Sequence, residues 1–481
     1  MVFSSPIFLF FFLPIVLSCY FFVPGIRLKN LWLLLASILF YAWGEVTFVS
    51  LMLASTLANY FLGLWVDGKA STGGRKWAVA ITIVFNIGIL AFFKYANFLV
   101  DNFNHLLSAL GLAAIHLNPV RLPIGISFFT FHALSYVIDI YRRKCPAARN
   151  PAAVGLYIFF FPQLIAGPIL RWNSMAPQIA RRIVTREGFA EGIRRFIYGL
   201  AKKMLIANTL AVPVGQIFSL SQVGVSPVLA WLGAGFYALQ IYFDFSGYSD
   251  MAVGLGRMFG FEFLENFNQP YISQSVRDFW RRWHISLSTW FRDYVYYPLG
   301  GNRGSKSRTC ANLVLVFFLC GLWHGASWTF VIWGLFHGFF LALERTRFGA
   351  WLAAWPQVFR HGYALLVVLF GWVLFRADTL PQAAAYLAAM FGVGSASSPE
   401  NLLNLILTRQ VIVAALAGIL LSMPTGAWLN RELTKLLPQP LWQLARLAHA
   451  VILPAVLILI FIVSAAWLAG DTYNPFIYFR F

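Results

Sequence analysis

The sequence predicts an all-α integral membrane protein with about ten to twelve membrane segments, some of them re-entrant. Sixty percent of the 481 residues are hydrophobic and only 11% are charged, whereas a soluble domain carries about 25% charged residues. A soluble fold of this length could not bury so much apolar surface. A bilayer can accept it, since a helix needs about 20 apolar residues to cross the hydrocarbon.

Apolar stretches separated by short polar segments run along the whole chain. They lie near residues 3–24, 31–66, 77–100, 122–141, 152–170, 204–220, 227–258, 311–343, 363–376, 411–429 and 449–470. The stretch 31–66 is long enough for two passes or a re-entrant pair. Proline and glycine interrupt several stretches, which membrane helices tolerate because neighbouring helices satisfy the freed backbone groups. Since no repeat or linker divides the chain, we expect one membrane domain over residues 1–481.

Residues 1–24 lack a basic start and a small-residue cleavage site. This pattern favours a retained membrane segment over a signal peptide. Basic residues follow the early apolar stretches, at 27–29, 69–76 and 142–149. Cytoplasmic loops collect lysine and arginine, so these sets predict an N-terminus outside the cytoplasm. The last third has few charged loops, and the rule assigns it no orientation.

The net charge of +19 is concentrated between apolar runs, which favours a membrane over nucleic acid as the partner. Two segments, near 171–203 and 270–308, are especially basic. They could anchor the chain to anionic lipid. They could also form a cytoplasmic vestibule for an anionic donor such as a coenzyme A thioester, because arginine and lysine clusters bind phosphate. The four cysteines show neither CxxC spacing nor a His/Cys pattern, so no disulfide framework or zinc site is indicated.

Residues 278–293 form the densest motif. On a helix, their aromatic and leucine side chains recur every three or four positions and predict one stripe, made of Trp280, Trp283, Leu287, Trp290 and Tyr294. Arg277, Arg281 and His284 would share the neighbouring strip. His284 would then lie where the basic and aromatic strips meet. The alternative is an interfacial amphipathic helix on which His284 has no chemical role.

His324 lies inside the apolar run 311–343, between Gly321 and Gly325. An ionisable group in the membrane is costly and therefore suggests function, and histidine suits general-base catalysis near neutral pH. The alternative is a histidine satisfied by an interhelical hydrogen bond. Cys320 is one turn away and could form an acyl-enzyme, although buried cysteine is often only a small apolar residue.

Other polar residues in apolar runs are weaker candidates for functional residues. Ser327 is also one turn from His324. His132 and His337 are expected to be packing histidines, the latter unless the helix that carries His324 breaks. Asp244 and Asp250 could orient a histidine or pair with an arginine at the cytoplasmic mouth, or form structural ion pairs.

Several blocks together resemble the membrane-bound O-acyltransferases, and specifically the bacterial alginate O-acetyltransferase branch. The resemblance covers nearly the whole chain. It is carried by residues 1–5, 122–132, 161–168, 244–250, 265–270, 279–303, 321–325 and 476–481.

The resemblance implies a helical fold around a central tunnel, with His324 as the essential intramembrane histidine and His284 as the second one. The donor would be acetyl-CoA or another cytoplasmic acetyl thioester, with no bound metal or cofactor. Together with the basic segments, it suggests a set of donor-binding residues, which are Arg277, Trp280, Arg281, Arg282, Trp283, Asn302 and Arg303. Asp244 and Asp250 would be the acidic residues that support this site, by orienting a histidine or by pairing with an arginine.

We therefore expect an O-acetyltransferase of the bacterial inner membrane that passes acetyl groups toward an exopolysaccharide. Alginate is the favoured polymer, with cellulose or peptidoglycan as alternatives. The resemblance implies a periplasmic partner of the Ser-hydrolase type, and the acceptor could be the polysaccharide or that partner. Two other functions remain open, a proton-coupled transporter or flippase and a scaffold subunit.

Overall fold

The computed structural model describes residues 1–69, 71–220, 224–394, 402–436 and 439–470, which form helices and loops without a β-strand among them. The motif at 476–481 lies outside these residues. The helices of the first half are α1 (Leu13–Phe22), α2 (Ile26–Ala42), α3 (Val49–Gly68), α4 (Thr72–Ala109), α5 (Ile126–Tyr141), α6 (Pro151–Phe159), α7 (Phe161–Leu164), α8 (Trp172–Ala180), α9 (Arg186–Ala201) and α10 (Asn208–Ser219).

The second half begins with the longest buried helix. Its helices are α11 (Pro227–Met258), α12 (Val276–Arg282), α13 (Ile285–Phe291), α14 (Lys306–His324), α15 (Trp328–Leu343), α16 (Arg347–Ala353), α17 (Gln357–Arg376), α18 (Leu380–Met390), α19 (Leu402–Ile406), α20 (Arg409–Leu421), α21 (Thr425–Leu436) and α22 (Gln439–Gly470). Short π-helical segments precede α1, join α9 to α10, and follow α13. They span Phe8–Phe12, Lys202–Ala207 and Arg292–Tyr296.

Six helices in the described part of the chain are long and apolar enough to cross a membrane, and four more are apolar but shorter. The six candidate spans lie in α3, α4, α11, α14, α17 and α22. Large apolar side chains on α4, such as Trp77, Val84 and Leu99, are exposed. In α11, by contrast, 72% of the apolar window is buried. This distribution places α11 at the centre and lets α4 face lipid, which confirms the predicted class of multi-pass helical membrane protein.

The predicted stretch 31–66 forms two helices, α2 and α3, and 311–343 forms the pair α14 and α15. α14 and α15 pack with their backbones in close contact. A Cβ atom on Gly321 would lie 2.3 Å from the Phe330 carbonyl oxygen, and one on Gly334 would lie 2.3 Å from the Phe317 carbonyl oxygen. Small residues permit such close approach in membranes, and here they set the position of the segment that ends at His324.

The prediction of one continuous helix over 278–293 is wrong. The chain breaks at His284, whose φ of 44° and ψ of 54° are left-handed. Residues 266–268 run beside the break and satisfy its backbone groups: Ile285 N–H donates to the Asn266 carbonyl (2.9 Å), and Asn268 N–H donates to the Arg282 carbonyl (2.9 Å).

The break also divides the predicted aromatic stripe. Trp283 packs against Phe279 and Trp372, with ring centroids 5.5 and 4.8 Å away. Trp290 instead stacks on Phe131, with the centroids 3.7 Å apart. His284 is fully buried and does not share a surface strip with Arg277 and Arg281.

Candidate functional site

His324 is the last residue of α14 and is 4% exposed. α14 ends here because the backbone turns to an extended conformation at Gly325, with φ −165° and ψ 155°. A Cβ atom at that position would lie 2.2 Å from the Phe330 ring. The imidazole is enclosed by aromatic rings, with centroids 4.8 Å from Trp323 and 5.0 Å from Trp333.

A cavity of about 110 Å³ opens beside this imidazole. It is lined by His324, Trp323, Lys94, Ile165 and the segment 122–128, which begins α5. His324 therefore borders open space at the end of α14. Lys94 was missed by the sequence analysis. Its only signal was a lysine within the apolar run 77–100.

A second cavity, of about 210 Å³, lies between α12, α13, α14 and α15. Four arginines line it, namely Arg277, Arg281, Arg292 and Arg345, together with Trp280 and Cys320 among others. We call it the arginine cavity. It brings together three of the predicted donor-binding residues, Arg277, Trp280 and Arg281, and adds Arg345, which no sequence motif had indicated.

The other predicted donor-binding residues lie outside the lining of the arginine cavity. Arg282 pairs with Asp278 (3.0 Å) and donates to the Asn268 carbonyl (3.3 Å). Trp283 is buried among aromatic rings. Asn302 and Arg303 are exposed in the loop that precedes α14.

The two cavities approach α14 within one turn of each other. Cys320 lines the arginine cavity and His324 lines the other, and residues four apart on a helix are separated by about 6 Å along its axis. The residues that line or adjoin the two cavities lie near opposite ends of α5. Its first residues border the His324 cavity, whereas Arg142, just past its last residue, donates to the Asp293 carbonyl (2.9 Å) beside Arg292.

His284 is oriented by Asn266, a residue that sequence reasoning quoted only as part of a motif. Asn266 Oδ1 accepts from the Ser286 backbone N–H (3.2 Å) and hydroxyl (2.9 Å), and lies 3.1 Å from His284 Nδ1. Because a backbone N–H can only donate, this atom is the amide oxygen, and His284 Nδ1 donates to it. Nε2 is then the nitrogen that can accept a proton.

Burial lowers the pKa of His284 to about 3, so its imidazole is neutral at physiological pH. The His284 and His324 rings flank the same indole, at 6.2 and 4.8 Å from the Trp323 centroid. The structure thus brings the two predicted catalytic histidines to one cluster. His337 also adjoins the cluster, because α15 is a separate helix from α14. Its Nδ1 accepts from Trp280 Nε1 (3.4 Å).

Asp244 and Asp250 form ion pairs with the basic segment 171–203. Asp244 pairs with Lys203 (2.6 Å), and both side chains are 2% exposed. Asp250 pairs with Arg195 (2.8 Å) and Lys202 (2.6 Å). These contacts connect α11 to the end of α9, and buried ions inside a membrane protein are usually paired in this way.

Replacing Cys320 with alanine should leave the transfer reaction that the sequence predicts within about twofold of its wild-type rate. Cys320 is 5% exposed and packed in α14, and its removal deletes one small apolar group without touching His324. The steady-state rate of that predicted reaction, followed with a labelled acyl donor and purified protein, measures this. A variant that folds normally but is inactive would instead indicate an acyl-cysteine intermediate.

Known proteins provide an independent comparison. The sequence model of the membrane-bound O-acyltransferase family matches residues 149–380. The chain is 42% identical to a probable alginate O-acetylase (AlgI) of Azotobacter vinelandii and 44% identical to one of Pseudomonas putida, over the full length of both partners in each case. It is also 35% identical to the peptidoglycan O-acetyltransferase of Helicobacter pylori, covering 82% of this chain and 81% of the relative.

The match thus extends over the whole chain and agrees with the helical architecture and the apolar surface. The chain belongs to the membrane-bound O-acyltransferase family and is a multi-pass membrane enzyme that transfers acyl groups to oxygen.

Proposed function

We propose that this enzyme, in the bacterial inner membrane, takes an acetyl group from a cytoplasmic thioester and passes it outward for O-acetylation of an exopolysaccharide. The observation that carries the proposal is the pair of cavities that reach α14 one turn apart, at Cys320 and His324. A donor and an acceptor confined to opposite sides of a membrane need such an arrangement in order to meet.

The charge of the arginine cavity supports a donor that carries phosphates, such as acetyl-CoA. Guanidinium groups bind phosphate oxygens with two parallel hydrogen bonds. Arg292, which lines the cavity, is next to Asp293, whose carbonyl accepts from Arg142 (2.9 Å), and the distribution of charges assigns the basic segment 142–149 to the cytoplasm. Arg277, Arg281, Arg292 and Arg345 would hold the phosphates, and the thioester would extend toward Cys320. Roles for Arg282, Trp283, Asn302 and Arg303 stay predictions, as do supporting roles for Asp244 and Asp250.

In the proposed reaction His324 acts as a general base. An acceptor hydroxyl in the 110 Å³ cavity gives its proton to the imidazole as its oxygen attacks the thioester carbonyl carbon. The C–S bond then breaks, the new C–O ester bond remains, and the proton leaves with the thiolate as a thiol. General-base assistance contributes about 10²–10⁴-fold, and positioning of the two reactants would supply much of the rest.

The relatives' names suggest which polymer is acetylated. Those of Azotobacter and Pseudomonas refer to alginate and that of Helicobacter to peptidoglycan. Alginate is the proposed polymer because the alginate relatives match over their full length. The direct acceptor would be the polysaccharide or a periplasmic partner of the Ser-hydrolase type. Membrane lipids would surround the enzyme itself.

Transfer in liposomes tests the proposal. Purified enzyme would be reconstituted with labelled acetyl-CoA on the arginine-cavity side and an alginate oligosaccharide on the other, and we expect a labelled ester on the oligosaccharide. A labelled thioester of a phosphopantetheine carrier protein, offered in parallel, tests the alternative donor. Movement of an intact solute without ester formation would favour a transporter, and polymer acetylation by variants that lack both histidines would favour a scaffold.

Replacing both Arg277 and Arg281 with glutamine should raise the KM for the donor about 100-fold or more and change kcat little. Each lost charge-assisted hydrogen bond costs about 1.5–3 kcal/mol of binding free energy. Neither arginine lines the cavity that His324 borders, so kcat should change little. Arg347→Gln is the matched control, since Arg347 is exposed near Arg345 but does not line the cavity. An unchanged donor KM in the double variant would contradict the proposed donor site.

A further inference from the structure

A buried lysine contacts the end of the helix that carries His324. Lys94 lies within α4 and is 8% exposed. Its ammonium donates to the Trp323 carbonyl, to the His324 carbonyl (3.1 Å) and to the Ser127 hydroxyl (3.4 Å). The adjacent Tyr95 donates its hydroxyl to the Leu322 carbonyl. Two consecutive residues of α4 therefore satisfy three consecutive carbonyls of α14.

These carbonyls need partners from outside α14. The last four carbonyls of a helix have no partner within it, and an unsatisfied group costs several kcal/mol in a membrane interior. The chain cannot continue the helix past His324, because Gly325 is extended. The carboxyl end of a helix also carries a partial negative charge, which a lysine ammonium stabilises.

The position of Lys94 within the membrane span is costly. It lies in a candidate span of mean hydropathy 1.9 that faces lipid on its other side. An apolar residue would serve a lipid-facing helix at lower cost, since lysine at the centre of a membrane helix is unfavourable by about 2.5–3.5 kcal/mol. The side chain instead points inward and lines the same cavity as His324.

We propose that Lys94 is a positioning residue for the acyl transfer: by holding the carboxyl end of α14 it keeps the His324 imidazole aligned with the acceptor cavity. This inference rests on the proposed role of His324. A helix end tends to fray, and His324 is the terminal residue. Displacing a catalytic group by about 1 Å can lower the reaction rate about 100-fold. The hydrogen bonds from Lys94 to the end of α14 should therefore affect kcat directly.

Lys94→Met tests the inference, because methionine keeps the length of the side chain and removes its three donors. We expect kcat to fall about 10- to 100-fold, with the donor KM within about twofold of wild type, since the arginine cavity is lined by other residues. Lys94→Arg, which keeps charge and donors, should restore part of the lost kcat. Tyr95→Phe is the matched comparison: it removes the donor to the Leu322 carbonyl and leaves both bonds from Lys94 to α14 in place, so kcat should fall less than in Lys94→Met.

A double-variant cycle distinguishes positioning from a general structural role. If Lys94 acts through His324, then Lys94→Met should reduce the residual rate of a His324→Ala enzyme by less than about twofold. Thermal unfolding in detergent identifies variants that fail to fold, and Lys94→Gln, which keeps donors without charge, replaces Lys94→Met in that case.

Two results would overturn the role of Lys94. One is a wild-type kcat in a folded Lys94→Met enzyme, and the other is a full additional loss in the His324→Ala background. Full activity of His324→Ala itself would instead refute the proposed chemistry of the site. The two failures are therefore distinguishable.

Discussion

Replacing His324 with alanine should reduce acetyl transfer about 10²–10⁴-fold while the protein still folds. The loss corresponds to removal of general-base assistance, because His324 carries the only imidazole among the described residues that line the 110 Å³ cavity at the end of α14. The rate of labelled ester formation in liposomes measures the effect.

The matched control for this variant is His337→Gln. His337 is a second buried histidine beside Trp333, at 5.1 Å between centroids, but it does not line the His324 cavity. Its replacement should cost much less activity. If folded His324→Ala acetylates at the normal rate, His324 has no part in the mechanism and the proposed reaction must be abandoned.

Replacing His284 with alanine should lower the transfer rate by about 10²-fold. Burial holds the pKa of His284 at about 3, so its ring is neutral. Asn266 sets its tautomer, and its ring centroid lies 6.2 Å from that of Trp323, which also contacts His324. Asn266→Ala should lower the rate about tenfold, a smaller loss than that of His284→Ala, because it removes only the acceptor for His284 Nδ1. Steady-state kcat and KM for both variants measure these effects.

Asn266→Asp is the informative companion variant. It keeps an acceptor oxygen for His284 Nδ1 and for the Ser286 donors, and we expect it to retain more activity than Asn266→Ala. A wild-type rate in folded His284→Ala would reduce this residue to a packing role. Equal losses in Asn266→Ala and Asn266→Asp would show that the amide does not act by orienting the imidazole.

A large part of the fold was predictable because the amino-acid composition indicates whether a chain folds in water or in a lipid bilayer. With 11% charged residues, the chain has too little polar surface for water, and the apolar stretches locate most of the long helices. The family motifs then identified His324 and His284. They also indicated Arg277, Trp280 and Arg281, which line the cavity that we propose as the donor site.

The errors arose where contacts between distant segments override local periodicity. A spacing of three and four residues predicted a continuous helix through His284, but residues 266–268 satisfy the backbone of a break at that point. Similarly, the charges at 171–203 are partly engaged with Asp244 and Asp250 of α11. A pattern along one segment contains no information about which backbone or charge will lie beside it.

The sequence by itself determined that this is a helical membrane protein with a histidine in an apolar run, because hydropathy and an isolated ionisable residue are properties of single segments. The tertiary structure alone decided what surrounds that histidine. Lys94 reaches the Trp323 carbonyl from 229 positions away in the chain, and Arg345 joins Arg277 in one cavity. Such neighbours are set by how helices pack and where their unsatisfied carbonyls and charges find partners, which no periodicity of the sequence records.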